Sequence, residues 1–132
     1  MPSNRPNLQA AREAWQYRGQ TRPLFAQSPG PDQESVWDYP RPPTYQHDHR
    51  PVAVVAGDLR IAATESAIRA LETGSPPSFY LPPEAVDQSL LEPSDRRTLC
   101  EWKGEAEYFH IKGPKGLIRD ALWRYPHAWD DA

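Results

Sequence analysis

Val52-Ala53-Val54-Val55-Ala56, then Gly57-Asp58, then Leu59-Arg60-Ile61-Ala62-Ala63-Thr64 reads as a β-hairpin. Two runs of small and β-branched apolar residues flank a Gly-Asp pair, which supplies the positive φ angles of a tight two-residue turn. Leu59, Ile61 and Ala63 alternate onto one face, as a strand lying on a core requires. Downstream, Ser78-Phe79-Tyr80-Leu81 is a short strand ended by Pro82-Pro83, with at most one helical turn at Glu84 to Val86. Leu99 to Trp102 and Glu105 to Ile111 read as two strand segments broken by a bulge or bend at Gly104. Lys112-Gly113-Pro114-Lys115-Gly116 is a turn, and Leu117 to Arg119 and Ala121 to Tyr125 complete the set. Glu65 to Glu72 has the Ala, Leu and Arg of a helix but is short and stops at Thr73-Gly74-Ser75-Pro76-Pro77. Short strands separated by turns predict a mainly β, antiparallel, barrel-like or two-sheet roll.

Upstream of the hairpin the composition changes. Residues 1–51 hold only Leu8, Leu24 and Val36 among Val, Ile and Leu, against sixteen in residues 52–132. They also carry nine of the 16 prolines. Such a segment cannot close a core of its own. Yet Trp15, Tyr17, Phe25, Trp37, Tyr39 and Tyr45 recur along it. The reading is an extended arm over residues 1–51, opening with a short helix from Leu8 to Trp15 and draping its aromatics over a β-domain of residues 52–132. Trp37 and Tyr39 are expected to be docked.

The chain's 132 residues suffice for one domain. Its net charge of -3 gives no electrostatic reason to expect nucleic acid as a partner. No stretch approaches the ~20 apolar residues of a membrane span, and the N-terminus lacks a secretory signal's apolar core. A cytoplasmic location is expected by exclusion. Cys100 is the only cysteine, which excludes an internal disulfide and a multi-cysteine zinc site.

Cys100-Glu101-Trp102-Lys103-Gly104 is the most unusual pentapeptide. On a strand, Cys100 and Trp102 would face one way and Glu101 and Lys103 the other. A reactive thiol needs a cation or base beside it, and regular pleating keeps Lys103 away from Cys100. The plainer reading is an inert Cys100 beside a core Trp102, with Lys103 paired to Glu101 or Glu105. Trp123-Arg124-Tyr125-Pro126 echoes Trp37-Asp38-Tyr39-Pro40; two aromatics two apart on a strand present their faces to one side. Tyr80, Trp102 and Tyr108 could converge on the later pair. His47 and His49, joined by His110 or His127, have no further ligand at metal spacing, so no metal or other cofactor is expected. No Ser-His-Asp order stands out, and Asp130-Asp131 read as solvated.

Phe79 to Val86, Leu91-Glu92-Pro93-Ser94, Cys100 to Tyr108 and Ala121 to Pro126 together resemble the family catalogued as domain of unknown function 427, sometimes labelled nucleotidyltransferase-like. In the arm, Tyr17 to Gln20 and Glu34 to Pro43 resemble its cyanobacterial members. The resemblance implies a compact antiparallel β-roll of the β-tent type, without established activity. It also implies a further helix and strand after the Trp-x-Tyr-Pro block, where this chain ends at Ala132. An absent strand would leave an open edge through which a dimer could form.

The function expected on these grounds is binding of a small ring-shaped or anionic ligand in a cleft of Tyr80, Trp102, Lys103, Tyr108, Trp123 and Tyr125. One alternative is a protein-interaction module using the arm or a sheet edge; another is an enzyme using Cys100 or Lys103.

Overall fold

In the computed structural model, which describes residues 7–128, the hairpin forms where the sequence places it. Among the described residues eight strands make three antiparallel sheets. Strands β2 (Val52–Ala56) and β3 (Leu59–Thr64) are joined by Gly57-Asp58, with Ala56 opposite Leu59. Only Gly57 of the pair takes positive φ, at 59°, the pattern of a type II′ turn. Val54 pairs with Ala62 but Val55 with Arg60, so Ile61 is an extra, bulged residue. A bulge interrupts the two-residue alternation. Ile61 and Ala62 are therefore both buried, and Ala63, expected to face inward with Leu59 and Ile61, is exposed.

Strands β1 (Thr44–Asp48), β4 (Ala67–Leu71) and β5 (Ser78–Tyr80) form a second sheet in the order β1-β4-β5. The ambiguous stretch after Thr64 is thus strand. Its helix formers are outweighed because β4 has a ladder on each side and buries Ala67, Ala70 and Leu71. Residues 44–48, which composition groups with the arm, supply the edge strand β1.

The third sheet has the order β6-β7-β8, from β6 (Leu91–Cys100), β7 (Gly104–Gly113) and β8 (Gly116–Arg124). Two expectations are corrected here. Cys100 pairs with Gly104, so Glu101, Trp102 and Lys103 are a hairpin loop, not part of a strand that bends. Gly104 closes the reversal at φ 106°, a conformation costly for any residue with a Cβ. Residues 117–119 and 121–125 likewise belong largely to one strand, interrupted by a bulge: Arg119, Asp120 and Ala121 stand opposite His110 alone. Ser94, Asp95 and Arg96 make a matching bulge opposite Tyr108. No ladder joins one sheet to another among the described residues, so the fold is three small sheets rather than a closed barrel.

The N-terminal segment is tied to this frame by backbone and charge. It begins with α1 (Leu8–Glu13), capped by the Asn7 side chain, which accepts from the Ala10 N–H. Val36–Asp38 is a single 3-10 turn, so Trp37 and Tyr39 do not share a strand face as their spacing implied. Tyr39 is buried and Trp37 half-buried. The Thr73 N–H donates to the Pro40 carbonyl at 3.2 Å and the Gly74 N–H to the Val36 carbonyl at 2.9 Å. Gly74 sits at φ 78°, and a Cβ there would lie 3.1 Å from the Trp37 ring. Asp130 and Asp131 lie outside the described residues, and no described helix is long and apolar enough to cross a membrane.

On the outer face of the second sheet, Arg69 Nη1 donates to Glu34 Oε1 at 2.9 Å, and the Tyr39 hydroxyl donates to the same oxygen at 3.2 Å. Arg50 grips both oxygens of Asp48. Hydrogen bonds from Arg50 hold the Asp48 carboxyl well below the usual carboxylate range, and those from Arg69 lower Glu34. Both groups have lower pKa values folded than unfolded. Their stabilisation is complete above the unfolded values, about pH 4, and is lost as pH falls through the folded values. Thermal unfolding followed by circular dichroism should show Tm falling as pH drops below about 4.5. Asp48→Asn should lower Tm at neutral pH and flatten that acid limb. An equally steep limb in the variant would remove Asp48 as its source.

Candidate functional site

The sheets meet around a cleft of about 820 Å³. Odd-numbered residues of β7, Phe109 and Ile111, form its floor on one side, and the bulged pair Ile61 and Ala62 on another. Ile68 and its ladder partner Tyr80 close the third side. These walls are mostly apolar, as in a small-molecule site.

Polar groups gather where the Glu101–Lys103 loop reaches the cleft. Lys103 Nζ stands 6.0 Å from the centre of the Tyr80 ring and 5.8 Å from that of Tyr125. Both distances allow attraction between the ammonium and the ring faces. The two rings are 6.3 Å apart and tilted by 49°. Burial, and then the neighbouring Tyr80, Cys100, Tyr108 and Tyr45, push the Tyr125 phenol far above its ordinary value, which already leaves a phenol neutral at physiological pH. Trp123 also lines the cleft, 44% exposed, with its indole Nε1 making a long 3.4 Å contact to the Tyr80 hydroxyl.

The cations at this site differ in their commitments. Arg124 Nε donates to Glu107 Oε2 at 2.9 Å and its guanidinium lies over the Phe109 ring. Lys103 has no carboxylate within ion-pair distance among the described residues, contrary to the expected pairing with Glu101 or Glu105. Glu101 is occupied by the indole N–H of Trp15, at 2.8 Å.

Of the six expected pocket residues, Tyr80, Lys103, Trp123 and Tyr125 line the cleft. Trp102 does not. Placed on the loop and not on a strand, it is 5% exposed and packs beneath the Arg12 guanidinium. Tyr108 does not line it either: its hydroxyl meets Thr98 Oγ1 at 2.8 Å and Arg96 covers its ring. Cys100 ends β6, half-buried.

Sequence order concealed one constellation. The two bulges bring Ser94, Asp120 and His110 together: the Ser94 hydroxyl donates to Asp120 Oδ1 at 2.5 Å, and His110 Nδ1 accepts the Asp120 backbone N–H at 3.0 Å. This is not a nucleophile and its base. Ser94 is buried and bonded to the carboxylate, and the imidazole nitrogen is already used. The cluster clamps one bulge to the other, supporting Asp120 at φ 50°. His47 and His49 stack with ring centres 6.5 Å apart on the exposed surface. Among the described residues no three His, Cys, Asp or Glu side chains gather at metal-binding distance.

A family model described as "Domain of unknown function (DUF427)" matches residues 44–132. The chain belongs to the DUF427 family. The match begins at β1 and takes in all eight strands, so the cleft and Lys103 lie within the DUF427 segment, and α1 precedes it. No curated protein matches the chain.

Proposed function

We propose that this DUF427 domain binds a small, flat or ring-shaped ligand bearing an anionic group. The observation that carries the reading is Lys103: an ammonium without an ion-pair partner among the described residues, set against two tyrosine rings in an apolar cleft. Apolar walls supply affinity for a ring, and one cation in a poorly solvated place orients its charge. The neutral Tyr125 hydroxyl adds a donor beside it. Binding accounts for the arrangement without invoking a chemical step.

Naphthoate and its neutral amide, naphthamide, are suitable probes, equal in shape and different in charge. Lys103→Met is expected to weaken naphthoate binding by about tenfold or more and leave naphthamide nearly unchanged, because one charge-assisted bond is lost. Its Tm should stay within about 2 °C, the Lys103 ammonium having no ion-pair partner to strand among the described residues. Trp123→Ala should weaken both probes. Since Trp123 is 44% exposed, that variant should cost well under the ~3–5 kcal/mol of a core tryptophan. Equal naphthoate binding by Lys103→Met and the unaltered protein would refute the reading.

A further inference from the structure

We propose that the N-terminal helix sets the position of Lys103, with Trp15 and Arg12 acting through Glu101 and Trp102. The inference rests on the reading of Lys103 as the cleft's anion-recognising group and extends it to residues outside the family segment.

The loop between Cys100 and Gly104 has three residues, and the arm holds the first two. The Glu101 carbonyl accepts from Arg12 Nε at 2.7 Å, and its carboxylate Oε1 accepts from Trp15 Nε1 at 2.8 Å. Trp102 is buried under the Arg12 guanidinium, 5.1 Å above its ring. Backbone and side chain are thus both gripped by the arm. The third residue, Lys103, reaches instead toward the Tyr80 and Tyr125 rings. A lysine side chain is long and freely rotating, so where its backbone is held decides what the ammonium meets.

The grip is itself braced. Arg18 Nη2 donates to the Arg12 carbonyl at 2.6 Å and Arg18 Nε to the Trp15 carbonyl at 3.2 Å. The Trp15 ring lies 3.8 Å from the guanidinium carbon of buried Arg41. A continuous set of contacts therefore runs from Arg41 through Trp15 and Glu101 to the loop that carries Lys103. Trp15 is a positioning residue, touching no cleft surface of its own.

The test uses the full chain and two variants that remove the grip differently. Trp15→Phe deletes the indole donor and keeps an aromatic face for Arg41; Glu101→Leu deletes the acceptor. Glu101→Gln retains an acceptor oxygen and should behave as the unaltered protein. With only Lys103, Lys112 and Lys115 present, lysine labelled with carbon-13 at Cε alone gives three methylene signals by NMR, and Lys103→Met assigns one. In the unaltered protein the Lys103 signal should be shifted by the tyrosine ring currents. In Trp15→Phe and Glu101→Leu it should move toward the other two, and the preference for naphthoate over naphthamide should fall about tenfold, as for one lost hydrogen bond. A Lys103 signal that stays in place in both variants overturns the proposal. A signal that moves without any change in probe preference upholds the positioning and refutes the anion-binding role of Lys103.

Discussion

Replacing Arg41 by methionine is expected to cost about 3–5 kcal/mol of stability and to lower Tm by roughly 10–20 °C. The guanidinium is 6% exposed and lies 3.3 Å from Glu72 Oε2 through Nε, an ion pair without the angle of a hydrogen bond. Its Nη1 donates to the Tyr17 carbonyl at 3.2 Å, its Nη2 to the Thr73 carbonyl, and its plane covers the Trp15 ring. Methionine fills part of the volume and supplies none of the donors. It leaves a poorly solvated Glu72 carboxylate and two carbonyls without their partner, and that stranding, more than the lost attraction, is the source of the cost. Removing both charges, as Arg41→Met with Glu72→Met, should recover part of the loss. Thermal unfolding of the two variants decides it: a Tm for Arg41→Met within about 2 °C of the unaltered protein would mean that the arm is not anchored through this residue.

Trp102→Ala is the second large effect, about 3–5 kcal/mol, for a different reason. The ring is 5% exposed, so its removal leaves a cavity between the hairpin loop and α1. Its indole Nε1 is buried without a hydrogen-bond partner among the described residues, an orphaned donor that costs desolvation. Trp102→Phe keeps most of the packing and deletes the orphan, so it should lose no more than about 1.5 kcal/mol. Equal losses in chemical denaturation would show that the indole nitrogen itself contributes to stability.

These residues show what the sequence made legible. The Gly57-Asp58 hairpin was readable because turn chemistry and apolar flanks agree locally; its bulge was not, since nothing in Leu59 to Thr64 distinguishes Ile61 as the extra residue. Strand β4 contradicts its own helix propensity because partners distant in sequence, β1 and β5, supply its ladders. Residues 91–98 carry no legible strand pattern because Pro93 and the charged Asp95-Arg96-Arg97 run obscure an alternation that the bulge also interrupts. At the site, Tyr80, Lys103, Trp123 and Tyr125 are legible as aromatics and a cation on strand-like segments, and all four line one cleft. Trp102 lies off the expected strand because Cys-x-Trp only looks like alternation, whereas Cys100 pairing with Gly104 turns the next three residues into a loop. The Arg12 and Trp15 contacts with Glu101 span more than 80 residues and leave no local signature.

Three sheets without a shared ladder have a consequence for how the molecule comes apart. Each sheet holds its own strands through backbone hydrogen bonds, but one sheet is held to the next mainly by side chains, many of which line the cleft. Amide exchange should therefore divide along the same seams, with the two-stranded β2–β3 ribbon releasing its protons before the ten-residue strands β6 and β7. A guest seated between the sheets would occupy the place that a larger domain fills with its own side chains. It would slow exchange in all three sheets together, making their separate openings into one cooperative event.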